Sequence, residues 1–362
     1  MDGNLCNGFY RVREKLFNTT SEKEAIQKVR SKVSQEIENG SIPQNLRYLT
    51  FKITNVCNSA CKYCTHSVLK TKGGAKDIPI EIVLSTIQGA GELGTHVLAI
   101  NGGEPLTRPD ILKIIEEVVR NGITPVLMTN GLLLPKYWQR LDEIGAWYII
   151  ISFDSTKREI YEKQRGVSFD DALAGIDAAT AFKKRNLDAE ISVSVTLTKY
   201  NTYDLVETIK YMTNRGIPVQ ICPFHNYSPD QIDSDFSDVD NERIREVAEK
   251  LIEMKRENYL ISASSGFIKH LPDFFIYGKK VPDCYSCKIG YTSLFIDCDL
   301  SVHACWDSSF ESLGYIDRDS IVDIWHGEKM DGYRKRMLSA DCKGCWYMCC
   351  GEVEMFINNE LD

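Results

Sequence analysis

Between residues 48 and 222 the sequence alternates, and that alternation limits the fold more than any other feature. Short β-branched and aromatic runs stand at YLTFKIT (48–54), HVLAIN (96–101), TPVLMT (124–129), WYIIISF (147–153), EISVSVTL (190–197) and PVQIC (218–222). Amphipathic, helix-like stretches lie between them, near 79–92, 109–121, 135–144, 169–186 and 203–215. Strands separated by helical segments need crossover connections, so they form βαβ units and a parallel sheet. Six strands are too few for a closed eight-unit barrel, and the expected fold is α/β, a partial (β/α)6 barrel. Ligand-bearing residues in such folds sit just after the C-terminal ends of strands.

The flanks read differently. Residues 1–46 are polar and carry a helix signature, with Ser21 and Glu24 as a capping box and Gly40 as a stop. They form an expected helical extension to a core at 47–225. Residues 226–240, NYSPDQIDSDFSDVD, look like an acidic loop or lid, and a helix near 241–257 completes a connecting segment at 226–274. A cysteine-rich part, 275–362, follows. The 43 Lys+Arg against 51 Asp+Glu, with no basic run, argue against a nucleic-acid partner. The longest apolar run, AWYIIISF (146–153), is too short to span a bilayer. The N-terminus, MDGNLCNGFYRVREK, lacks the apolar stretch of a signal peptide. A cytoplasmic location without a membrane partner is expected.

The thirteen cysteines are clustered rather than scattered: three at 57–64, eight from Cys284 to Cys350, and only Cys6 and Cys222 elsewhere. In a reducing compartment such groups signal metal or catalysis before disulfides. The first group, TNVCNSACKYCT (54–65), spaces Cys57, Cys61 and Cys64 as C-x3-C-x2-C directly after the first strand. Three thiolates leave a four-coordinate metal one ligand short. Zinc would need His66 as the fourth ligand. A [4Fe–4S] cluster held by three thiolates would instead keep one iron open, able to chelate a small molecule through an amine and a carboxylate.

That triplet, with Tyr63 before its last cysteine, resembles the signature of the radical S-adenosylmethionine (radical SAM) superfamily, and the resemblance extends over about residues 45–225. NGGEP (101–105) resembles the GGE motif, in which Gly102 and Gly103 let backbone approach closely and Glu104 accepts from the SAM amino group. Asn130, in TNG, would line the pocket. SFDS resembles the fourth-strand motif, with Ser152 near the SAM carboxylate or ribose and Asp154 beside it. Arg165, in YEKQRG, matches an arginine that pairs with the SAM carboxylate, and the backbone of Ser194–Thr196 would face the adenine. Each piece alone is an ordinary turn or strand end; their order along the chain carries the resemblance. It implies a [4Fe–4S] cluster on Cys57, Cys61 and Cys64 that binds SAM. One electron from a flavodoxin- or ferredoxin-type donor would split SAM into methionine and a 5′-deoxyadenosyl radical.

The second group reads CYSCKIGYTSLFIDCDLSVHAC (284–305) and CKGCWYMCC (342–350). Its C-x2-C pairs also fit a zinc ribbon. The closer resemblance is to the auxiliary-cluster domains of radical SAM enzymes, SPASM and the shorter twitch. These place an apolar-alternating β-hairpin between two cysteines, then a helix, then C-x2-C. On that pattern Cys287, Cys305, Cys342 and Cys345 would hold one auxiliary [4Fe–4S] cluster. Leu300 stands near the turn where the pattern has a glycine, and the chain ends too soon after Cys350 for a second auxiliary cluster. Cys284, Cys298, Cys349 and Cys350 receive no role. An auxiliary cluster implies an oxidation, a crosslink or dehydrogenation of a ribosomally made peptide. The alternative is dehydrogenation or epimerisation of a sugar or cyclitol in natural-product biosynthesis. Cys222 is a candidate hydrogen donor; Asp297, Asp299, His303, Asp307 and His225 are candidate proton acceptors. A plain iron–sulfur electron-transfer protein would not need the SAM-shaped motifs.

Overall fold

The structure, a computed structural model, describes residues 31–64, 76–146, 148–186, 189–225, 234–278, 287–305, 311–338 and 345–347. A helix over residues 31–38 (α1) ends at Gly40, whose φ of 60° makes the left-handed turn that glycine takes without a Cβ clash. Ser21 and Glu24 lie outside the described residues.

Strands β1 (Tyr48–Thr54), β2 (Val97–Gly102), β3 (Thr124–Thr129), β4 (Tyr148–Ser152), β5 (Glu190–Leu197) and β6 (Val219–Pro223) pair in parallel, each with the next. The intervening helices are α2 (Ile80–Glu92), α3 (Ile111–Arg120), α4 (Leu134–Ile144), α5 (Arg158–Arg165), α6 (Phe169–Arg185) and α7 (Leu205–Thr213). The alternation of residue types explains both layers. In β5, Ile191, Val193, Val195 and Leu197 are buried, while Ser192, Ser194 and Thr196 occupy the opposite, half-buried face. In α3, Ile111, Ile114, Ile115 and Val118 form one buried stripe at helical spacing. This is the expected partial (β/α)6 barrel. Two helices rather than one separate β4 from β5, because Gly166 (φ 63°) ends α5 and Ser168 caps α6.

The polar connection holds α8 (Asn241–Arg256), capped by Asp240 accepting from Arg243 N at 2.7 Å. Two short helices, α9 (Ser265–Lys269) and α10 (Leu271–Tyr277), follow it. The C-terminal part holds β7 (Ser293–Ile296), β8 (Ser301–His303), β9 (Gly314–Tyr315), α11 (Ile321–His326) and α12 (Glu328–Leu338).

The expected hairpin is present, β7 pairing antiparallel with β8 (Phe295 opposite His303), but its place in the sheet is unexpected. β7 pairs in parallel with β1, Tyr48 opposite Ser293 and Phe51 opposite Ile296, so the hairpin extends the barrel sheet. The nine strands run in the order β6-β5-β4-β3-β2-β1-β7-β8-β9. All four residues of β7 are buried, because the strand is covered on both faces, and the expected apolar alternation is absent there. At the turn, Leu300 takes φ 76°, the left-handed conformation that glycine adopts at lower cost.

The last described residues return to the opposite edge of the sheet. Trp346 is fully buried, stacks on Phe267 at 5.2 Å and donates Nε1–H to Phe267 O. Its backbone N–H donates to His225 Nε2, just past β6. The α1 helix packs on the C-terminal part, Val33 and Ile37 meeting Tyr291 and Leu338. Arg47 pairs with Glu36 at 2.9 Å and donates to Tyr291 O. Among the described residues no helix is long and apolar enough to cross a membrane.

Candidate functional site

The loop carrying Cys57, Cys61 and Cys64 is held from three sides. From β2, Gly103 N donates to Thr54 O (2.8 Å) and Glu104 N to Val56 O (2.7 Å). A Cβ on Gly102 would lie 2.2 Å from Thr54 O, and one on Gly103 2.1 Å from Val56 O. The close approach these glycines permit is therefore to the chain's own backbone. From α5, Arg165 O accepts from Ala60 N and Gln164 O from Lys62 N. From the end of β3, Asn130 Nδ2 donates to Asn58 Oδ1 (2.7 Å) and Ser59 Oγ (2.9 Å).

Two buried carboxylates organise the ground beneath. Glu104 Oε1 accepts from Leu106 N and Thr129 Oγ1, and its Oε2 accepts from Asn130 N. Burial carries its carboxyl up to about 7 in spite of these bonds. Asp154 accepts from Arg165 Nε (2.7 Å) and Nη2 (2.9 Å), Tyr63 Oη (2.5 Å) and Thr196 N (2.9 Å). Two of the Arg165 nitrogens are thus committed to Asp154, and Nη1 points to Cys61 Sγ at 4.0 Å. Burial pushes the Cys61 thiol up to about 12; Arg165 opposes this, while the neighbouring Cys64, Asp154 and Cys57 add to it. Ligation there means drawing that proton off.

One face of the sheet collects the other candidates. Lys52, Asn101, Ser152, Ser194 and Cys222 occupy the same side of their strands by register, all half-buried. Cys222 Sγ lies 3.4 Å from Ser194 Oγ. Lys52 Nζ meets Asp297 Oδ2 at 2.6 Å, and Asp297 Oδ1 accepts from Cys298 N and Sγ. Burial alone would raise the Asp297 carboxyl, but the Lys52 ammonium and these hydrogen bonds hold it at about 2. His303 Nε2 faces Ser301 Oγ at 2.8 Å, and Ser301 N and Oγ both donate to Asp299. His303 Nδ1 is buried and has no partner among the described residues. Cys222 lies on β6 and Asp297 just after β7, two strands separated by five others in the sheet order. Both His225 nitrogens are engaged, Nδ1 with Pro223 O and Nε2 with Trp346 N, so it braces the fold.

Cys287 is buried, and Cys305 and Cys345 pack against the core. Cys342, Cys284, Cys349, Cys350, His66 and Asp307 lie outside the described residues. Among the described residues no three His, Cys, Asp or Glu side chains gather as ligands of one metal ion. The fit to clusters rests on soft thiolate donors at these spacings and on the mutual electrostatics of the first three. Sequence reasoning missed Lys52. Its signal was present: in YLTFKIT the residues Tyr48, Thr50, Lys52 and Thr54 share one face, and a lysine there needs a partner.

Residues 51–212 match the radical SAM superfamily, and residues 287–346 match SPASM, an iron–sulfur cluster-binding domain. The chain therefore carries a radical SAM domain followed by a C-terminal SPASM domain. Its cofactors are accordingly a [4Fe–4S] cluster, SAM and auxiliary iron–sulfur. A GTP 3′,8-cyclase of Limosilactobacillus fermentum is 32% identical over 186 residues, 49% of this chain and 54% of that one. An AdoMet-dependent heme synthase of Methanosarcina barkeri is 28% identical over 173 residues, 47% of this chain and 48% of that one. The chain thus spans about half the length of the curated relatives it matches. Streptococcus suis SuiB bound to precursor peptide SuiA superposes with a TM-score of 0.65 at 17% identity, covering 90% of this chain and 77% of that one. The anSMEcpe enzyme with bound AdoMet and Cp18Cys peptide gives 0.63 at 18%, covering 84% and 87%. At such identities the likeness shows the fold.

Proposed function

We propose that this chain is a radical SAM oxidoreductase that modifies a ribosomally made peptide. The observation that carries the reading is the Lys52–Asp297 ion pair. It joins the strand leading into the cysteine loop to the turn of the auxiliary hairpin, at the same end of the sheet. Cys287 and Cys305 bracket the other end of that hairpin. A substrate on the polar inner face would therefore border both iron–sulfur regions. When bound, the clusters and SAM supply a 5′-deoxyadenosyl radical that takes a hydrogen atom and an acceptor for the second electron.

The residues divide the remaining work. Cys57, Cys61 and Cys64 hold the first cluster, and Cys287, Cys305, Cys342 and Cys345 hold one auxiliary [4Fe–4S] cluster. Glu104 receives the SAM amino group, while Asn130, Ser152, Thr196 and Arg165 border the pocket and Asp154 fixes the arginine. Asp297 acts as a fixed negative charge that orients Lys52, and the open Nδ1 of His303 takes the substrate proton. Cys222 contacts the substrate. Two of the solved neighbours, SuiB with SuiA and anSMEcpe with Cp18Cys peptide, hold peptides, which supports the peptide. The GTP 3′,8-cyclase relatives favour a second reading, a small polar metabolite.

Anaerobically reconstituted enzyme with SAM and dithionite, given peptides encoded beside its gene and, separately, GTP and sugars, distinguishes them. The expected product is a peptide lighter by two hydrogen atoms, with substrate deuterium recovered in 5′-deoxyadenosine. Alteration of the small molecules alone would replace the peptide by the metabolite. No 5′-deoxyadenosine under any condition would end the enzyme reading.

A further inference from the structure

The backbone ladder between β4 and β5 stops at Phe153 N, which donates to Ser194 O at 3.0 Å. Past that point side chains hold the two strand ends together. Asp154 Oδ1 accepts from Thr196 N, and Asn201 Nδ2 donates to Asp154 O and to Thr196 O, all at 2.9 Å. Asn201 lies in the turn between β5 and α7 and is fully buried. Its Oδ1 accepts from Thr198 N at 2.8 Å, so the amide cannot flip without setting oxygen against two carbonyls. The same turn grips the next two residues of the β4 loop. Asp204, also buried, accepts from Ser155 Oγ and, at 2.9 Å, from Thr156 N. Thr198 Oγ1 donates to Gln164 Oε1, one residue before Arg165. Buried polar groups cost stability unless paired, and these spend their hydrogen bonds around the segment that bears Asp154. Asp154 in turn receives Arg165 Nε and Nη2 and the Tyr63 hydroxyl.

We propose that Asn201 is a positioning residue for SAM binding. By fastening the end of β4 to the end of β5, it sets the Asp154 carboxylate and, through it, the Arg165 guanidinium at the SAM pocket. This rests on the reading that Asp154, Arg165 and Thr196 border that pocket. Both amide hydrogens of Asn201 go to backbone carbonyls, so it acts through Asp154 and not on SAM itself. Two strand ends fixed by one amide leave the carboxylate a single bearing, which a bidentate hold on an arginine requires. Without Asn201 those two carbonyls lose their shared donor, and Asp154 is free to turn with its arginine.

The test uses full-length, anaerobically reconstituted enzyme, titrated with SAM in a calorimeter without reductant. Wild type, Asn201→Ala, Arg165→Lys and the double variant form one cycle, and iron content and thermal melting report clusters and fold. Asn201→Ala should keep its iron and raise the SAM Kd about tenfold, the loss of one well-placed hydrogen-bonded contact. Arg165→Lys should also weaken binding. Added to Asn201→Ala it should bring a smaller factor than it brings alone, because the arginine is already displaced. A structural role alone would leave the two factors independent and multiplying. A wild-type Kd in Asn201→Ala overturns the proposal, as do multiplying factors or an Arg165→Lys variant that binds SAM like wild type. Should Asn201→Ala fail to fold, Asn201→Asp, equal in size but with a carboxylate oxygen toward both carbonyls, takes its place in the cycle. Failure of both to fold makes Asn201 a residue of the fold and ends the proposal. A wild type that binds no SAM overturns the reading of the pocket itself, which separates the two failures.

Discussion

Glu104 is fully buried, and its carboxyl sits at about 7 against an unfolded value of 4.5. A raised acid favours the proton in the folded state. Its contribution is therefore present below pH 4.5 and is lost as pH rises through 7, on the order of 3 kcal/mol across that window. Urea unfolding of the ligand-free protein should show this fall, and Glu104→Gln should remove it; an unchanged slope in the variant would assign the fall to another group. A ligand ammonium at Oε2 reverses the preference. SAM binding should then release a proton between pH 5 and 7, visible as a buffer-dependent calorimetric enthalpy. Arg165 offers a second test. Its Nη1 lies 4.0 Å from Cys61 Sγ, and on the proposed assignment of Cys61 to the first cluster, positive charge beside that sulfur favours the reduced state. Arg165→Lys gives up the bidentate hold on Asp154 and should lower the potential of the first cluster in an EPR-monitored redox titration. Both residues could be named from motif order. Their partners could not, since Arg165 reaches Asp154 only once α5 packs against the cysteine loop.

At the scale of elements, strands at 48–54, 124–129 and 190–197 coincide with the expected runs, because alternation of apolar and polar residues is a local signal. The pairing of β7 with β1 was not legible. SLFI is apolar at three of its four positions and buried at all four, so it carries no period, and nothing local says which edge it joins. The extra helix α5 depends on Gly166, whose added Cβ would lie 2.8 Å from Ala60 O, a tertiary constraint. The tight β2 contact yields a prediction. Gly103→Ala places a methyl 2.1 Å from the Val56 carbonyl and must push the cysteine loop away. Iron and EPR should show loss of the first cluster with the SPASM-domain signal retained. A variant that keeps both signals would mean the loop adjusts without consequence.

Across the whole molecule, the C-terminal part ties both edges of the open sheet, β7 lying along β1 and Trp346 seated beside β6. Leu49 of the barrel and Trp325 and Trp346 of the C-terminal part share one hydrophobic core. The molecule should therefore unfold in a single transition by fluorescence and circular dichroism. Trp346→Ala should cost about 3–5 kcal/mol, and a separate early C-terminal transition would contradict the shared core. The central claim is that two distinct iron–sulfur sites serve one radical chemistry. Its most direct test is iron, sulfide and EPR on anaerobically reconstituted wild type beside the Cys57→Ala, Cys61→Ala, Cys64→Ala triple variant, with 5′-deoxyadenosine measured on both. The variant should keep one reducible four-iron cluster and make no 5′-deoxyadenosine. Loss of all iron from the variant, or zinc in place of iron at the C-terminal cysteines, would contradict it.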